Sequence, residues 1–238
     1  MSDQTRFLEL LAERYGFDAA TIQRLQRLTE WSVSLEISGT AVRDVSGALR
    51  IHLADSLSGL DLQAIRDART LVDIGAGVGF PGLALAVARP ELQVTLVDSV
   101  RKKMEAAATL ARELALPNVE CIWSRVEDYS AVGSEARESF DVVTARALAA
   151  LPILVEYAAP LARVGGSLVA WKGDPDPVER ADADAATELI GFERGELVAT
   201  KPFRGSARRH FYVATKRSPC PDGYPRRPGA ALRKPLRA

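Results

Sequence analysis

Residues 73–82 read DIGAGVGFPG, four glycines in ten positions directly after Leu71 and Val72. Glycine weakens strands and helices, so this cluster marks backbone that must stay bare. An apolar "LVD" runs into Gly75, Gly77 and Gly79, and helical sequence follows. That is a turn at the carboxyl edge of a parallel sheet, where a backbone can approach a ligand closely. "GVGFPG" (77–82) also spells G-x-G-x-x-G, so a dinucleotide site enters the comparison. Asp98 ends the next apolar run, 23 residues after Gly75. Its carboxylate suits a ribose diol, which NAD and S-adenosylmethionine share.

The details favour S-adenosylmethionine. Acidic Asp73 precedes the first glycine, and three alternating glycines come earlier than dinucleotide spacing requires. The helix after them is short, ending at "RP" (89–90), and Pro81 at its start removes one N–H from a pyrophosphate seat. No second domain offers a place for a hydride acceptor. The third strand ends in "WSRVEDY", where Glu127 can meet an adenine amine beside the N–H of Val126 or its own. A surface acid near a turn is the other reading of Glu127.

Further polar residues fall at strand ends. Arg146 closes "FDVVTAR" and points at the same crevice. Lys172 closes "LVAWK" and can hold a phosphate or lie along the surface. His52 and Asp55, three apart, share a helix face. Arg208, Arg209 and His210 open the last strand, and Tyr224, Arg226 and Arg227 follow it. Arginine and aromatic side chains of this kind clamp phosphates and stack bases. The whole chain has two histidines, and no Ser/His/Asp set or metal cluster is read in it. Cys220 in "SPCP" lies in the tail, off the sheet edge, and is not placed as a nucleophile.

The elements that would position these groups change rhythm along the chain. Residues 1–65 read as a small helical element. Asp18 is a fitting N-cap for a helix with Ile22, Leu25, Leu28 and Trp31 on one face, and Ser46 for another over "GALRIHLADSL". From residue 66 to 216 strand-like and helical runs alternate, which predicts an α/β, Rossmann-like parallel sheet. Met104, Ala108, Ala111 and Ala115 are the expected sheet-facing side of the helix from Arg101. The last two strands lack a helix between them and are expected to pair antiparallel. Residues 217–238 form a basic, Pro-rich tail read as irregular.

The 238 residues are 47% hydrophobic and 26% charged, the composition of an ordinary globular protein. No apolar run reaches the ~20 residues of a membrane span. The N-terminus has acids and no apolar core, so no secretory signal is read there. With two cysteines, a disulfide is not expected, and a cytoplasmic monomer is the default. A net charge of zero hides an asymmetry. Residues 201–238 carry 11 Lys and Arg and one acid, whereas residues 1–200 carry 20 bases and 30 acids. A basic block of this kind fits a polyanion, nucleic acid first. The acidic body would then hold a cationic cofactor and the basic end RNA.

"LVDIGAGVGFPGLALAVARPELQVTLVDSVRKKMEAA", "SRVED", "FDVVTARAL" and "AWKG" resemble the ribosomal small-subunit methyltransferase G family, also called glucose-inhibited division protein B. Upstream, "IHLADSL" is similar to its His-x-x-Asp-Ser-Leu element. Downstream, "YPRRPGAALRKPL" is similar to the ending of many members. The resemblance implies a class I S-adenosylmethionine-dependent fold and methylation of N7 of one guanine in 16S rRNA of the small ribosomal subunit. By motif position it implies that Gly75, Phe80, Val126, Glu127 and Arg146 contact the cofactor, with Asp98 at the ribose. It also moves His52 and Asp55 beside the active site. One departure stands out: Glu36, Ile37 and Ser38 replace the usual Asn-Leu-Thr. It keeps two other readings open, a member with another substrate and a ribosome-binding factor without turnover. An NAD-dependent oxidoreductase is the third.

Overall fold

A computed structural model of the chain describes residues 2–35, 42 and 44–237. The chain opens with α1 (Asp3–Tyr15) and α2 (Ala19–Ser34). Asp18 caps α2 as its position predicts, with Oδ1 accepting from Thr21 N–H at 2.7 Å. The next helical run holds α3 (Val45–Ala48), a π-helical stretch (Leu49–Ala54), α4 (Asp55–Leu57), a 3-10 turn (Ser58–Asp61) and α5 (Gln63–Asp67). Its cap is Asp44, not Ser46: Asp44 Oδ1 accepts from Gly47 N–H at 2.8 Å. Ser46 lies one residue inside, too late to reach that donor.

Strand and helix then alternate. The order is β1 (Thr70–Ile74), α6 (Gly82–Ala88), β2 (Gln93–Asp98), α7 (Arg101–Glu113), β3 (Val119–Trp123), α8 (Val126–Tyr129) and β4 (Phe140–Arg146). It continues with α9 (Leu151–Ala158), β5 (Ala162–Lys172), α10 (Pro177–Ile190), β6 (Glu196–Ala199), β7 (His210–Thr215) and α11 (Ala230–Arg233). The seven strands lie in the order β3-β2-β1-β4-β5-β7-β6. β7 runs antiparallel to both β5 and β6, and the other pairs are parallel. Because β7 is reversed, its first residues share an edge with the last residues of β1, β2, β4 and β5. Register places Asp98 beside Trp123, Arg146 beside Trp171, and Lys172 beside His210.

Alternating strand residues bury two cores. Leu71, Leu96, Val142, Val169 and Phe211 face α6, α7 and the N-terminal helices. Val72, Val97, Val143, Leu168 and Tyr212 face α9, α10 and α11. In α7 the buried side is Met104, Ala107, Leu110 and Ala111. Ala108 is only half-buried and Ala115 lies past the helix, exposed at φ +51. The small-residue stripe is therefore rotated from the expected one, because the larger Leu110 takes the inward position. The tail is irregular apart from α11 but folds back on the body. Cys121 and Cys220 are free thiols. Among the described residues no helix is long and apolar enough to cross a membrane.

The N-terminal helices share one core with the sheet through Leu25 and Leu28, both fully buried. Leu28→Ala is expected to cost roughly 3 kcal/mol by cavity formation. In denaturant melts it should shift one common transition. A separate early transition for the helices would contradict the shared core.

Candidate active site

Asp73 is wholly buried at the end of β1. Its Oδ2 accepts from Gly82 N–H at 2.9 Å, and its Oδ1 accepts from the Thr144 hydroxyl at 3.0 Å. It lies behind the glycine loop, not in it. Burial pushes its carboxyl up to about 7, against the lowering effect of those two bonds. Gly82 has no room for a side chain: a Cβ there would run into Leu96 Cδ2. The loop between is left-handed at Gly75, Gly77 and Gly79. Gly77, at φ +58, meets nothing within 4 Å of an added Cβ. Its bare face opens on the crevice, where a side chain would stand in the ligand's place.

Asp98 fixes this loop from the next strand. Its Oδ2 accepts from Gly77 N–H at 2.9 Å and its Oδ1 from Val100 N–H at 2.8 Å. An ionised carboxylate has about four acceptor sites, so each oxygen retains capacity for a ligand hydroxyl.

The crevice at this edge has a volume of about 540 Å³. Of the residues singled out in the sequence, Gly75, Gly77, Phe80, Arg146, Lys172, Arg209 and His210 line it, as do His52 and Asp55. Lys103 and Ser32 line it too and were missed. Lys103 carried a readable signal, the basic triplet RKK directly after the strand that ends in Asp98. Ser32 carried none. Glu36, Ile37 and Ser38 lie outside the described residues.

Arg146 is the hub. Its Nη1 donates to the Ile51 carbonyl at 2.9 Å and to Asp55 Oδ2 at 3.4 Å. Its Nη2 lies 3.3 Å from His52 Nδ1. Its guanidinium carbon stands 5.7 Å from the Phe80 ring centre. Burial lowers its pKa, but a guanidinium stays charged in a protein. Burial, then the Arg146 charge, pushes His52 down to about 4. A neutral His52 can accept the Arg146 proton donor at Nδ1 when its own proton is on Nε2.

Asp55 is 3% exposed, and burial raises its carboxyl while Arg146 and Arg209 oppose that shift. Arg209 Nε stands 3.8 Å from Asp55 Oδ1. The Asp55 carbonyl accepts from Trp171 Nε1–H at 2.7 Å. Two guanidiniums thus share one carboxylate and leave positive charge facing the crevice. Lys172 is less available, since its Nζ pairs with Glu179 Oε1 at 2.7 Å. His210 Nδ1 contacts the Gly173 carbonyl at 3.0 Å.

The remaining residues fall elsewhere. Gly79, Asp98, Val126 and Glu127 do not line the crevice; Asp98 ends β2, and Val126 and Glu127 open α8. Glu127 is buried, and its Oε1 accepts from Tyr157 O–H at 3.3 Å and Gly229 N–H at 2.8 Å. Arg226 turns inward onto buried Glu156, and Tyr224 packs on the core beneath the tail. This revises the expected clamp, since buried Glu156 requires a counter-charge and Arg226 supplies it. Arg208 and Arg227 remain exposed.

A family model described as rRNA small subunit methyltransferase G matches residues 19–211. A protein of Chloroflexus aggregans named ribosomal RNA small subunit methyltransferase G is 41% identical, over 91% of this chain and 90% of its own. One of the same name from Lactobacillus delbrueckii subsp. bulgaricus is 36% identical, over 96% of this chain and 99% of its own. Among solved structures, the S-adenosylmethionine-dependent methyltransferase SibL in its apo form superposes with a TM-score of 0.59 at 14% identity, covering 90% of this chain and 74% of that one. Cofactor-bound Rv0187 from MTB gives 0.51 at 20%, covering 84% and 91%. These two likenesses show the fold.

The Asp73 carboxyl gives a pH signature. Its native pKa of about 7 lies above the ordinary 3.8. Between those values the native state holds a proton that the unfolded state has lost. Its contribution to stability therefore declines as pH rises through that window and is flat above it. Calorimetric melting of the wild type and Asp73→Asn should give a difference, wild type minus variant, that falls from about pH 4 to 7. A difference that grows over the window would contradict the raised value.

Proposed function

The chain belongs to the rRNA small subunit methyltransferase G family, and from that premise and the crevice we propose how it acts and on what. It is an S-adenosylmethionine-dependent rRNA methyltransferase. The reading of GVGFPG as a dinucleotide loop falls with the family. Our proposal is that the acceptor is N7 of one guanine in 16S rRNA, presented on the small ribosomal subunit to a monomeric, cytoplasmic enzyme.

The residues present fit the methyl donor. Gly77 leaves an open cradle, and Asp98 holds that cradle while keeping acceptor capacity for ribose hydroxyls. In this reading Gly75, Gly77 and Phe80 bound the cofactor, with Asp98 at the ribose and Val126 and Glu127 at the adenine. Asp73 and Gly79 shape the loop. When bound, the cofactor supplies a methyl group on a cationic sulfur, activated for in-line displacement.

The other lip of the crevice holds the RNA. Arg146 and Arg209 share a single carboxylate, Asp55, and this is the observation that carries the reading. Their uncompensated charge draws in a phosphate or a guanine edge. His210, Arg208, Arg227 and Lys172 extend that face, with Lys172 exchanging Glu179 for phosphate. Guanine N7 already offers a lone pair and carries no proton. The protein therefore has no proton to remove, and alignment and exclusion of water remain as its tasks. The site matches this demand. His52, its nearest titratable base, is neutral, with Nδ1 against Arg146.

Labelled methyl groups from S-adenosylmethionine should transfer to 16S rRNA of small subunits that lack the modification. Guanine N7 carries no proton, so the turnover rate should show no limb that depends on His52, and His52→Gln should keep the wild-type pH profile. No transfer to any rRNA would remove the proposed acceptor. A limb with a pKa near 7 that disappears in His52→Gln would replace the base-free mechanism.

A further inference from the structure

The C-terminal segment is tied to the body by charge. Glu156, 1% exposed within α9, takes the Arg226 guanidinium in a two-point grip, Nε to Oε1 at 2.8 Å and Nη2 to Oε2. The same Nη2 donates to the Lys234 carbonyl at 2.9 Å, closing the chain between them into a ring. Arg137 donates to the Tyr224 carbonyl at 2.8 Å and to the Cys220 carbonyl at 3.1 Å. Ala231 is buried in the core of that face, and Tyr224 and Leu236 pack on it. A segment held by a buried ion pair is part of the fold, because releasing it would leave Glu156 charged and unpaired.

Glu127 is where this segment meets the cofactor side. It stands in the first turn of α8, just past the carboxyl end of β3 and one strand from Asp98. Inside the Arg226–Lys234 ring, Gly229 sits at φ +76 and turns its N–H to Glu127 Oε1 at 2.8 Å. Tyr157 O–H donates to the same oxygen. Both bonds fall on Oε1, which leaves Oε2 to accept a donor from a ligand. A carboxylate already fixed by a rigid backbone donor loses less freedom when a ligand arrives.

We propose that residues 224–236 form a strap that sets the Glu127 carboxylate for the adenine amine of the cofactor. Arg226 is then a positioning residue, acting through Gly229. The proposal rests on the reading of Glu127 as a cofactor contact. It makes cofactor affinity, and not RNA affinity, the property that depends on Arg226.

Calorimetric titration with S-adenosylhomocysteine, below each protein's melting temperature, tests it on wild type, Glu127→Gln, Arg226→Ala and the double variant. Each single change should weaken binding about tenfold, the scale of a hydrogen bond to a charged group. The double variant should be no weaker than Glu127→Gln alone, because both changes break one linkage. The KM for the RNA acceptor should not move in Arg226→Ala. If that variant does not fold, Glu156→Gln/Arg226→Ala removes the buried charge and takes its place. A melting shift alone is not support. Additive losses, or wild-type affinity in the Arg226 variants while Glu127→Gln binds weakly, would overturn the strap. Wild-type affinity in Glu127→Gln would overturn the reading beneath it.

Discussion

The Arg146–Asp55 contact is the constraint on which the crevice depends. Arg146 ends β4 and Asp55 begins α4, so this pair and the Arg146–Ile51 bond join the helical N-terminus to the carboxyl edge of the sheet. The contact is partly buried, with Asp55 almost wholly so, and a buried charge is tolerated only with a partner close by. Trp171, at the end of β5, binds the Asp55 carbonyl and fixes the same junction from another strand. The helices consequently act as one wall of the crevice. The π-helical turn over Leu49–Ala54 carries the Ile51 carbonyl and the His52 ring that face Arg146.

The charge asymmetry of the sequence takes a different form in three dimensions. Part of the basic block is held by ion pairs. Lys216 is fully buried against Glu138 and the carbonyls of Ala159 and Ala162, Arg217 pairs with Glu193, and Arg226 with Glu156. Lys201, Arg204, Arg208, Arg227, Arg233, Lys234 and Arg237 stay exposed, before β7 and on the tail surface. The basic tail is thus in part a clasp for the body, and its other cations make a positive surface field. A local field of this kind steers a polyanion while the fold stays compact at zero net charge.

The sheet was legible because its signals are local: apolar runs, a glycine turn, Asp18 before a periodic helix. The glycine turn was legible for the same reason, and Asp98 falls where the next strand ends against it, accepting from Gly77 N–H. Arg146 and Arg209 could be nominated as strand-end residues. Asp55 was nominated from its motif, but its pairing with both arginines could not be read, because it lies 91 residues from Arg146. Asp44 was hidden by an equally good cap two residues on. Arg226 was misread as a solvent-facing clamp because its partner, Glu156, looks like an ordinary polar position in an apolar helix. Long-range pairing of buried charges is set by the tertiary packing, and no periodicity reports it.

The central claim is that this crevice aligns its substrates without removing a proton. It is tested most directly by finding the atom that is methylated. Unmodified small subunits would be treated with the protein and S-adenosylmethionine, and the rRNA then cleaved by chemistry specific for 7-methylguanine. The account predicts cleavage at a single guanine of 16S rRNA. A methyl group that enters the rRNA yet gives no such cleavage would lie on another atom, and would contradict it.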